Sequence, residues 1–211
     1  LQRGDRRSEE SVKPAHYCTG TAVLYDIFKG GRADARPPCL FEKGADMKSV
    51  LYGKCVKCGK TYAATPDLTT CECGGILDIT YDYDYIKTRL TKEKLAARKD
   101  LSMWRYRELL PIEETTENTP LRVGNSPLYD EPRLAEMLGL KQLYVKDDGQ
   151  NPTASLKDRA SAMAVAKARE AGAKIIACSS TGNAASSLAG NAAAAGLRTF
   201  IFVPERAPKG K

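Results

Sequence analysis

The sequence predicts an α/β fold with a parallel sheet in its C-terminal half, preceded by a small module that contains four cysteines. Two short apolar runs, residues 174–178 (KIIAC) and residues 199–203 (TFIFV), have the length and composition of buried strands. A helix of small residues is predicted between them, over residues 184–195. Strand, helix and strand at this spacing are typical of a parallel sheet.

Residues 1–46 show no sustained periodicity. Their mixed charges, glycines and Pro37-Pro38 pair predict loop or disorder. The first segment that is patterned for folding begins at Met47, so we interpret residues 1–46 as a poorly structured extension and expect the natural start at Met47. The only histidine of the chain, His16, lies in this extension. Its position argues against Ser-His-Asp catalysis and against a His-rich metal centre in the rest of the chain.

Two closely spaced cysteine pairs, separated by twelve residues, dominate residues 47–81. The four cysteines are Cys55, Cys58, Cys71 and Cys73. A glycine follows each pair and lets backbone amides turn toward the sulfurs. The pattern predicts a zinc-ribbon-like module, in which tetrahedral Zn²⁺ joins short strands that are too small to bury a core. Two disulfides would be unusual in a reducing cytosol, and a redox Cys-x-x-Cys motif normally precedes a helix.

Residues 82–114 form a charged bridge between this module and the α/β segment. Helical spacing is present over residues 83–95 and residues 103–110. The second of these helices carries apolar side chains that we expect to pack the bridge onto the sheet, namely Trp104, Tyr106, Leu109 and Leu110. A further short helix is predicted over residues 133–138, ended by Gly139.

The stretch 151–159 (NPTASLKDR) places one lysine at the start of a long helix of small residues. Ser155 is a predicted N-cap, and Asp158 completes a pattern like a capping box ahead of a helix over residues 159–171. Lys157 then lies in the first turn, where the helix dipole favours a neutral, nucleophilic amine. Lysines of this kind form Schiff bases with carbonyl compounds, including pyridoxal phosphate (PLP). The alternative is an ordinary solvated lysine.

A polar turn, residues 179–183 (SSTGN), follows the first predicted strand of the parallel sheet. Ligands of such sheets bind outside the carboxyl ends of the strands. The sequence therefore predicts that this turn contributes to a ligand site.

Residues 151–159 and residues 179–187 (SSTGNAASS) together resemble the PLP-dependent threonine synthases, which are fold type II enzymes of the tryptophan-synthase-β-like superfamily. Residues 143–149 (LYVKDDG), 119–121 (TPL) and 104–111 (WRYRELLP) look like the same family. The two main motifs agree with the family in order and spacing, and the resemblance covers about residues 115–208. Many members also carry an N-terminal zinc ribbon.

The resemblance implies a PLP-dependent lyase that converts O-phospho-L-homoserine and water to L-threonine and phosphate. It implies that Lys157 carries the covalent link to the cofactor and serves as the catalytic base, and that Asn183 hydrogen-bonds the 3′-oxygen of the cofactor. Substrate binding is assigned by the resemblance to Ser180, Thr181, Asn183 and Ala184, where a helix N-terminus would hold an anionic group. For Asn183 the alternative is a Gly-Asn turn that only starts the helix.

Two further elements of the family lie on later strands of the large domain, a glycine-rich loop for the cofactor phosphate and a Ser or Thr that faces the pyridine nitrogen. Neither occurs in the 211 residues. We therefore expect residues 115–211 to be the N-terminal part of an incomplete catalytic domain, and we expect the chain by itself to be inactive.

Two classes of function remain open. The first is a fold type II enzyme, with threonine synthase favoured over threonine dehydratase and cysteate synthase. The second is a zinc-ribbon interaction protein without catalytic activity, because zinc ribbons commonly bind nucleic acid or protein.

The charge distribution bears on the partners. The net charge is +7, and residues 151–211 hold nine basic and three acidic side chains. A positive field there suits an anionic cofactor and a phosphorylated substrate, and the alternative is a half-domain that lacks its acidic complement. No basic run is interleaved with aromatic residues, and no apolar run has the length of a membrane span, so neither nucleic acid nor membrane is an expected partner. A secretory signal is not evident, and we expect a cytoplasmic protein that is a homodimer at full length.

Overall fold

The structure is a computed structural model that describes residues 47–65 and 70–207. The predictions made for residues 1–46, including His16 and the extension, lie outside the described residues.

The cysteine module is built on a three-stranded antiparallel sheet. Its central strand β1 (Val50–Cys55) pairs with β2 (Thr61–Tyr62) on one side and with β3 (Leu77–Tyr81) on the other. The predicted short strands are therefore confirmed. The register places Cys55, the last residue of β1, opposite Leu77, the first residue of β3. The second cysteine pair, which precedes β3 in the chain, therefore lies beside the first pair.

The first half of the bridge contains two helices where the sequence predicted one. Helix α1 (Tyr83–Arg89) ends at Leu90, whose backbone is extended, and helix α2 (Lys92–Ala97) follows at once. The single predicted helix is wrong because the Thr91 hydroxyl accepts a hydrogen bond from the Lys94 amide and caps a new helix.

The second half of the bridge is a 3₁₀ helix, Met103–Leu109, that is interrupted at Tyr106. Trp104 is buried and belongs to a cluster with Ile112, Val123, Ala162 and Ala166, with Leu110 at its margin. The predicted apolar patch is thus wrong in two respects. Tyr106 and Leu109 are exposed, and Trp104 packs on a helix, not on the sheet.

Strands β4 (Leu128–Asp130) and β5 (Tyr144–Lys146) pair antiparallel, and helix α3 (Pro132–Met137) lies between them in the chain. Helix α3 confirms the short predicted helix. It ends before Gly139, whose φ of +66° is the left-handed conformation expected of a helix-ending glycine.

The α/β segment confirms the predicted parallel pair. Helix α4 (Lys157–Glu170) precedes strand β6 (Ile175–Ser179), and helix α5 (Asn183–Ala194) connects β6 to the parallel strand β7 (Arg198–Phe202). Apolar residues of all these elements form one core, in which the fully buried or nearly buried members are Val165, Ala168, Ile176, Cys178, Leu188 and Ala192. Small side chains let α4 and α5 approach each other closely on this core.

None of the helices within the described residues is long and apolar enough to cross a membrane.

Candidate functional site

Helix α4 begins at Lys157 itself, two residues earlier than predicted. The Ser155 hydroxyl accepts a hydrogen bond from the Lys157 amide at 3.1 Å, so Ser155 does satisfy one amide of the helix start. The Lys157 side chain is exposed. Its Nζ makes no hydrogen bond or ion pair to any described residue, which leaves the amine accessible to a ligand.

The predicted capping box is wrong. Asp158 does not bind the Ser155 amide; its Oδ2 accepts from the Thr153 amide at 2.7 Å, and its Oδ1 accepts from the Thr153 hydroxyl at 2.8 Å. The reason is the turn before the helix, where Ala154 has a φ of +57°. This left-handed residue bends the chain so that Thr153, and not Ser155, faces the carboxylate.

Asp158 also joins α4 to α5. Its Oδ1 accepts from the Ser187 hydroxyl at 2.7 Å and from Asn191 Nδ2 at 2.8 Å, and all three side chains are fully buried. Sequence reasoning assigned Asp158 only a capping role. A signal was present, because a carboxylate among alanines and serines on a packed helix requires buried donors.

Helix α5 begins at the carboxyl end of β6, as the predicted polar turn requires. Asn183 is its first residue, and Gly182 before it provides no side-chain cap. The Ser180 hydroxyl accepts from the Gly182 amide at 3.2 Å, whereas the Asn183 and Thr181 side chains form no hydrogen bond within the described parts of the chain. The first amides of a helix have no partner inside it, so the Asn183 and Ala184 amides are suited to an anion.

The Lys157 turn and the start of α5 lie side by side. Ser187 follows Asn183 by one helical turn, and Asp158 follows Lys157 directly, so the 2.7 Å bond between Ser187 and Asp158 brings the two regions together. A Cβ placed on Gly190 would lie 2.9 Å from Thr153 Cγ2, closer than packed atoms allow. No hydrogen bond joins Lys157 to Ser180, Thr181 or Asn183 within the described residues.

An ion pair supports the same turn from the other side. Arg159 binds the Asp148 carboxylate with Nη2 at 2.7 Å and Nε at 3.2 Å, and the Ser126 hydroxyl donates to the same carboxylate at 2.5 Å. The Arg159 guanidinium, with help from Ser126, lowers the pKa of Asp148 to about 2. The Asn151 side chain accepts from the Gly124 amide at 2.9 Å and so fixes the beginning of the turn.

The four cysteines predicted to hold a metal lie together. Their sulfurs are all within 4.8 Å of one another, with 3.6 Å between Cys55 and Cys73 and 3.5 Å between Cys58 and Cys71. Metal–sulfur bonds of about 2.3 Å in a tetrahedron give sulfur–sulfur edges of about 3.8 Å. All four thiols are free of disulfide bonds, and the cluster could hold a metal ion.

The backbone around the cluster has the predicted form. The Lys57 and Cys58 amides point at Cys55 Sγ, at 3.4 and 3.5 Å. Gly59 and Gly74 have φ values of +78° and +74°, which suit glycine. A Cβ on Gly75 would lie 2.5 Å from Cys55 Sγ, so only glycine lets the second pair approach the first.

Electrostatics also fit a cation at this place. The Tyr62 hydroxyl, 3.1 Å from Cys71 Sγ, lowers the pKa of that thiol to about 6. For Cys73 the Gly75 amide lowers the pKa, but the crowded thiols of Cys58, Cys71 and Cys55 outweigh it and raise the pKa to about 12. Four thiolates at these distances repel one another, and a bound cation removes that repulsion.

Two surface cavities, of about 310 and 300 Å³, lie along the bridge and the adjoining end of α4. Most residues of their walls are charged, and several of these pair with one another, such as Glu114 with Lys48 at 3.1 Å. Neither cavity includes Lys157 or Asn183, so both lie apart from the chemistry that the sequence predicts.

Comparisons with known proteins agree with the resemblance. Residues 119–211 match the family described as pyridoxal-phosphate dependent enzyme. The chain is 44% identical to the threonine synthase of Methanocaldococcus jannaschii over 155 residues, which are 74% of this chain and 38% of that relative. It is 43% identical over 152 residues to the threonine synthase of Methanosarcina acetivorans (72% and 36%), and 46% identical over 101 residues to that of Synechocystis (47% and 26%). The chain thus spans less than two fifths of the length of these curated relatives.

Proposed function

Residues 119–211 belong to the pyridoxal-phosphate-dependent enzymes of fold type II, and from this premise we propose that the whole protein is a threonine synthase that converts O-phospho-L-homoserine and water to L-threonine and phosphate. The observation that carries the proposal is the 43–44% identity to two threonine synthases over more than 70% of the chain. The matched family segment contains both Lys157 and Asn183.

Lys157 is the residue that holds the cofactor in this proposal. Its exposed Nζ has no partner within the described residues, so no contact must break before it binds. PLP, when bound, supplies an electron sink for carbanion chemistry. Once the substrate amine has taken its place on the cofactor, the freed Lys157 Nζ would take and return protons at Cα and Cβ of the substrate, which needs a base within hydrogen-bond reach.

The start of α5 supplies the binding groups. Asn183 is proposed to donate a hydrogen bond from Nδ2 to the 3′-oxygen of the cofactor. Ser180 and Thr181, with the Asn183 and Ala184 amides, are proposed to hold an anionic group of the substrate. Their support is the helix N-terminus at the end of β6 and the absence of internal partners for Asn183 and Thr181 in the described part of the chain.

The four-cysteine cluster is proposed to hold one structural Zn²⁺. The sulfur–sulfur distances and the glycines that close the knuckles support this metal. Four thiolates close a tetrahedral site, so the metal has no open position for a substrate and serves the fold. We further propose a cytoplasmic homodimer at full length, with no nucleic-acid or membrane partner.

The test uses the whole protein, incubated with PLP, reduced with borohydride and digested for mass spectrometry. We expect the cofactor mass on Lys157, and phosphate release from O-phospho-L-homoserine. Lys157→Ala should remove both the label and turnover. Lys174→Ala, which changes an exposed lysine directly before β6, should change neither. Label on other lysines, with Lys157 unmodified, would refute the assignment. Ammonia released from L-threonine, with no phosphate released from O-phospho-L-homoserine, would indicate a dehydratase.

Asn183→Ala provides the second part of the test. It should keep the Lys157 label and reduce turnover by about 10- to 1000-fold, the range for one lost preorganised hydrogen bond. An unchanged rate would remove Asn183 from the site.

The 211 residues by themselves are proposed to lack turnover, because the phosphate loop and the partner of the pyridine nitrogen do not occur in them. A phosphate-release assay on this chain checks the proposal, and steady turnover would contradict it.

A further inference from the structure

Lys157 and Asp158 are neighbours in the chain with opposite environments. Lys157 is exposed, and Asp158 has no accessible surface. Burying a carboxylate is costly unless hydrogen bonds replace its water. The Asp158 carboxylate, whose burial costs free energy, is therefore the neighbour of the lysine that is proposed to hold the cofactor.

The Asp158 carboxylate accepts four hydrogen bonds, which is about the capacity of its two oxygens. Two donors belong to Thr153, in the turn before Lys157. The other two, Ser187 and Asn191, lie on α5. None of the four donors carries a charge, so the contact is not an ion pair; it is a set of directional bonds between two elements.

The direction of these bonds fixes the turn in two ways. The Thr153 bonds hold the backbone on the amino side of Lys157, where Ala154 already has a left-handed φ of +57°. The α5 bonds hold the carboxyl side of Lys157 one helical turn from Asn183. Gly190 completes the contact, since a methyl group there would collide with Thr153.

We propose that Asp158 is a positioning residue that sets the place of Lys157 relative to Asn183 through Thr153, Ser187 and Asn191. The inference rests on the proposed function, because it gives the buried carboxylate a role only where Lys157 and Asn183 act on one ligand. Asp158 itself touches neither cofactor nor substrate. It acts by keeping the Lys157 amine in a productive geometry, where a shift of about 1 Å can cost about 100-fold in rate.

The experiment compares the whole protein, loaded with PLP, with its Asp158→Asn and Ser187→Ala variants. Asparagine keeps the size of Asp158 but turns an NH₂ group toward donors. Three quantities are measured below the melting temperature: borohydride label on Lys157, the circular dichroism of the bound cofactor per labelled site, and kcat and KM for O-phospho-L-homoserine.

For Asp158→Asn we expect the label on Lys157 to persist at saturating PLP. The cofactor circular dichroism should fall by about half or more and kcat by about 10- to 100-fold, with KM within about 3-fold. Ser187→Ala removes one of the four donors. It should lower the cofactor circular dichroism to a smaller extent and reduce kcat by about 3- to 10-fold. If Asp158→Asn does not fold, Ser187→Ala decides.

Two controls separate positioning from stability. Ser161→Ala removes a buried hydroxyl that lies 2.8 Å from Ser187 Oγ but does not contact the carboxylate. Asp84→Asn removes a surface charge that pairs only with Lys87 among described residues. Both should leave the cofactor spectrum and kcat unchanged.

Unchanged spectrum and kcat in folded Asp158→Asn, or in Ser187→Ala, would overturn the inference and leave Asp158 a purely structural group. A wild-type protein that does not label Lys157 would instead refute the proposed function, so the two failures are distinct.

Discussion

The cysteine module and the α/β segment differ in the side chains that form their interiors. In residues 47–81 the described buried side chains are few, and the two at the centre are Cys55 and Cys71, while Leu51, Val56 and Ile76 remain exposed. Around β6 the interior is a continuous core of aliphatic and alanine side chains with a single buried thiol, Cys178. The module therefore has sulfurs where the segment has hydrocarbon.

This difference predicts two independent sources of stability. We expect a module with so little buried apolar surface to depend on the proposed metal, whose free energy of binding would then also be its free energy of folding. The α/β segment relies on packing. A substitution that destabilises one region should therefore leave the stability of the other region unchanged.

The largest expected effect is loss of the metal. Cys71→Ser should reduce the zinc content from about one equivalent to under about 0.1, because a structural site contributes about 10–16 kcal/mol and tolerates no missing ligand. Hydrogen exchange should show loss of protection in β1 and β3, with α5 and the Lys157 label retained. Cys178→Ala, in β6, is the reciprocal control and should keep the metal. Loss of protection in both regions together would contradict the claim that their stabilities are independent.

The next effect is a cavity in the α/β core. Leu188 is 1% exposed, and Leu188→Ala should lower the free energy of unfolding of this segment by about 2–5 kcal/mol. Leu128→Ala removes the same atoms from a residue that is 60% exposed and should change it by less than about 0.5 kcal/mol. Urea denaturation followed by circular dichroism measures both. A metal content that fell in Leu188→Ala would show that the regions are not independent.

A smaller effect is expected from crowding the thiol cluster. Gly75→Ala would place a methyl group 2.5 Å from Cys55 Sγ, and the strain should cost about 1–3 kcal/mol, or about 5- to 150-fold in zinc affinity. Competition with a chromogenic chelator measures the affinity. Gly182→Ala is the matched control, because nothing lies within 4 Å of the added methyl group. Equal affinities in the two variants would show that the close approach at Gly75 is unimportant.

The smallest effect concerns the ion pair that supports the Lys157 turn. Because the pKa of Asp148 is lowered from 3.8 to about 2, its charge stabilises the fold above about pH 4, and this contribution is lost as the pH falls toward 2. Asp148→Asn should therefore reduce stability by about 1 kcal/mol at neutral pH, a value discounted for partial exposure. The difference from wild type should vanish near pH 2. Urea titrations at several pH values check it, and a difference independent of pH would exclude this origin.

The sequence predicted the elements whose signals are local. Cysteine spacing and glycines identify the four-cysteine module, and apolar runs identify β6 and β7, because these patterns depend on few neighbours. The separation of α1 from α2 at Thr91 was not predicted, because a threonine within helical spacing can lie inside one helix or cap the next one. The sequence pattern is the same in both cases, and only the tertiary structure distinguishes them.

The error at Asp158 has a different cause. The spacing from Ser155 suits a capping box, but the carboxylate binds donors on α5 that lie 29 and 33 residues away. Such contacts leave no periodic trace in the sequence. The roles of Lys157 and Asn183 were inferred from a resemblance. The hydrogen bonds of Asp158 that join their two helices could be found only in the structure.

The shared carboxylate also limits how this part of the sequence can diverge. Thr153, Ser187 and Asn191 all bind Asp158, so a substitution at any of them changes the value of the other three bonds, and their effects on stability will not add. Replacing the acid by an apolar residue would leave several buried donors unsatisfied, and replacing the donors first would leave a buried carboxylate without partners. One donor is the backbone amide of Thr153, which no substitution removes. A change at Asp158 without loss of stability therefore requires several substitutions together and a new partner for that amide.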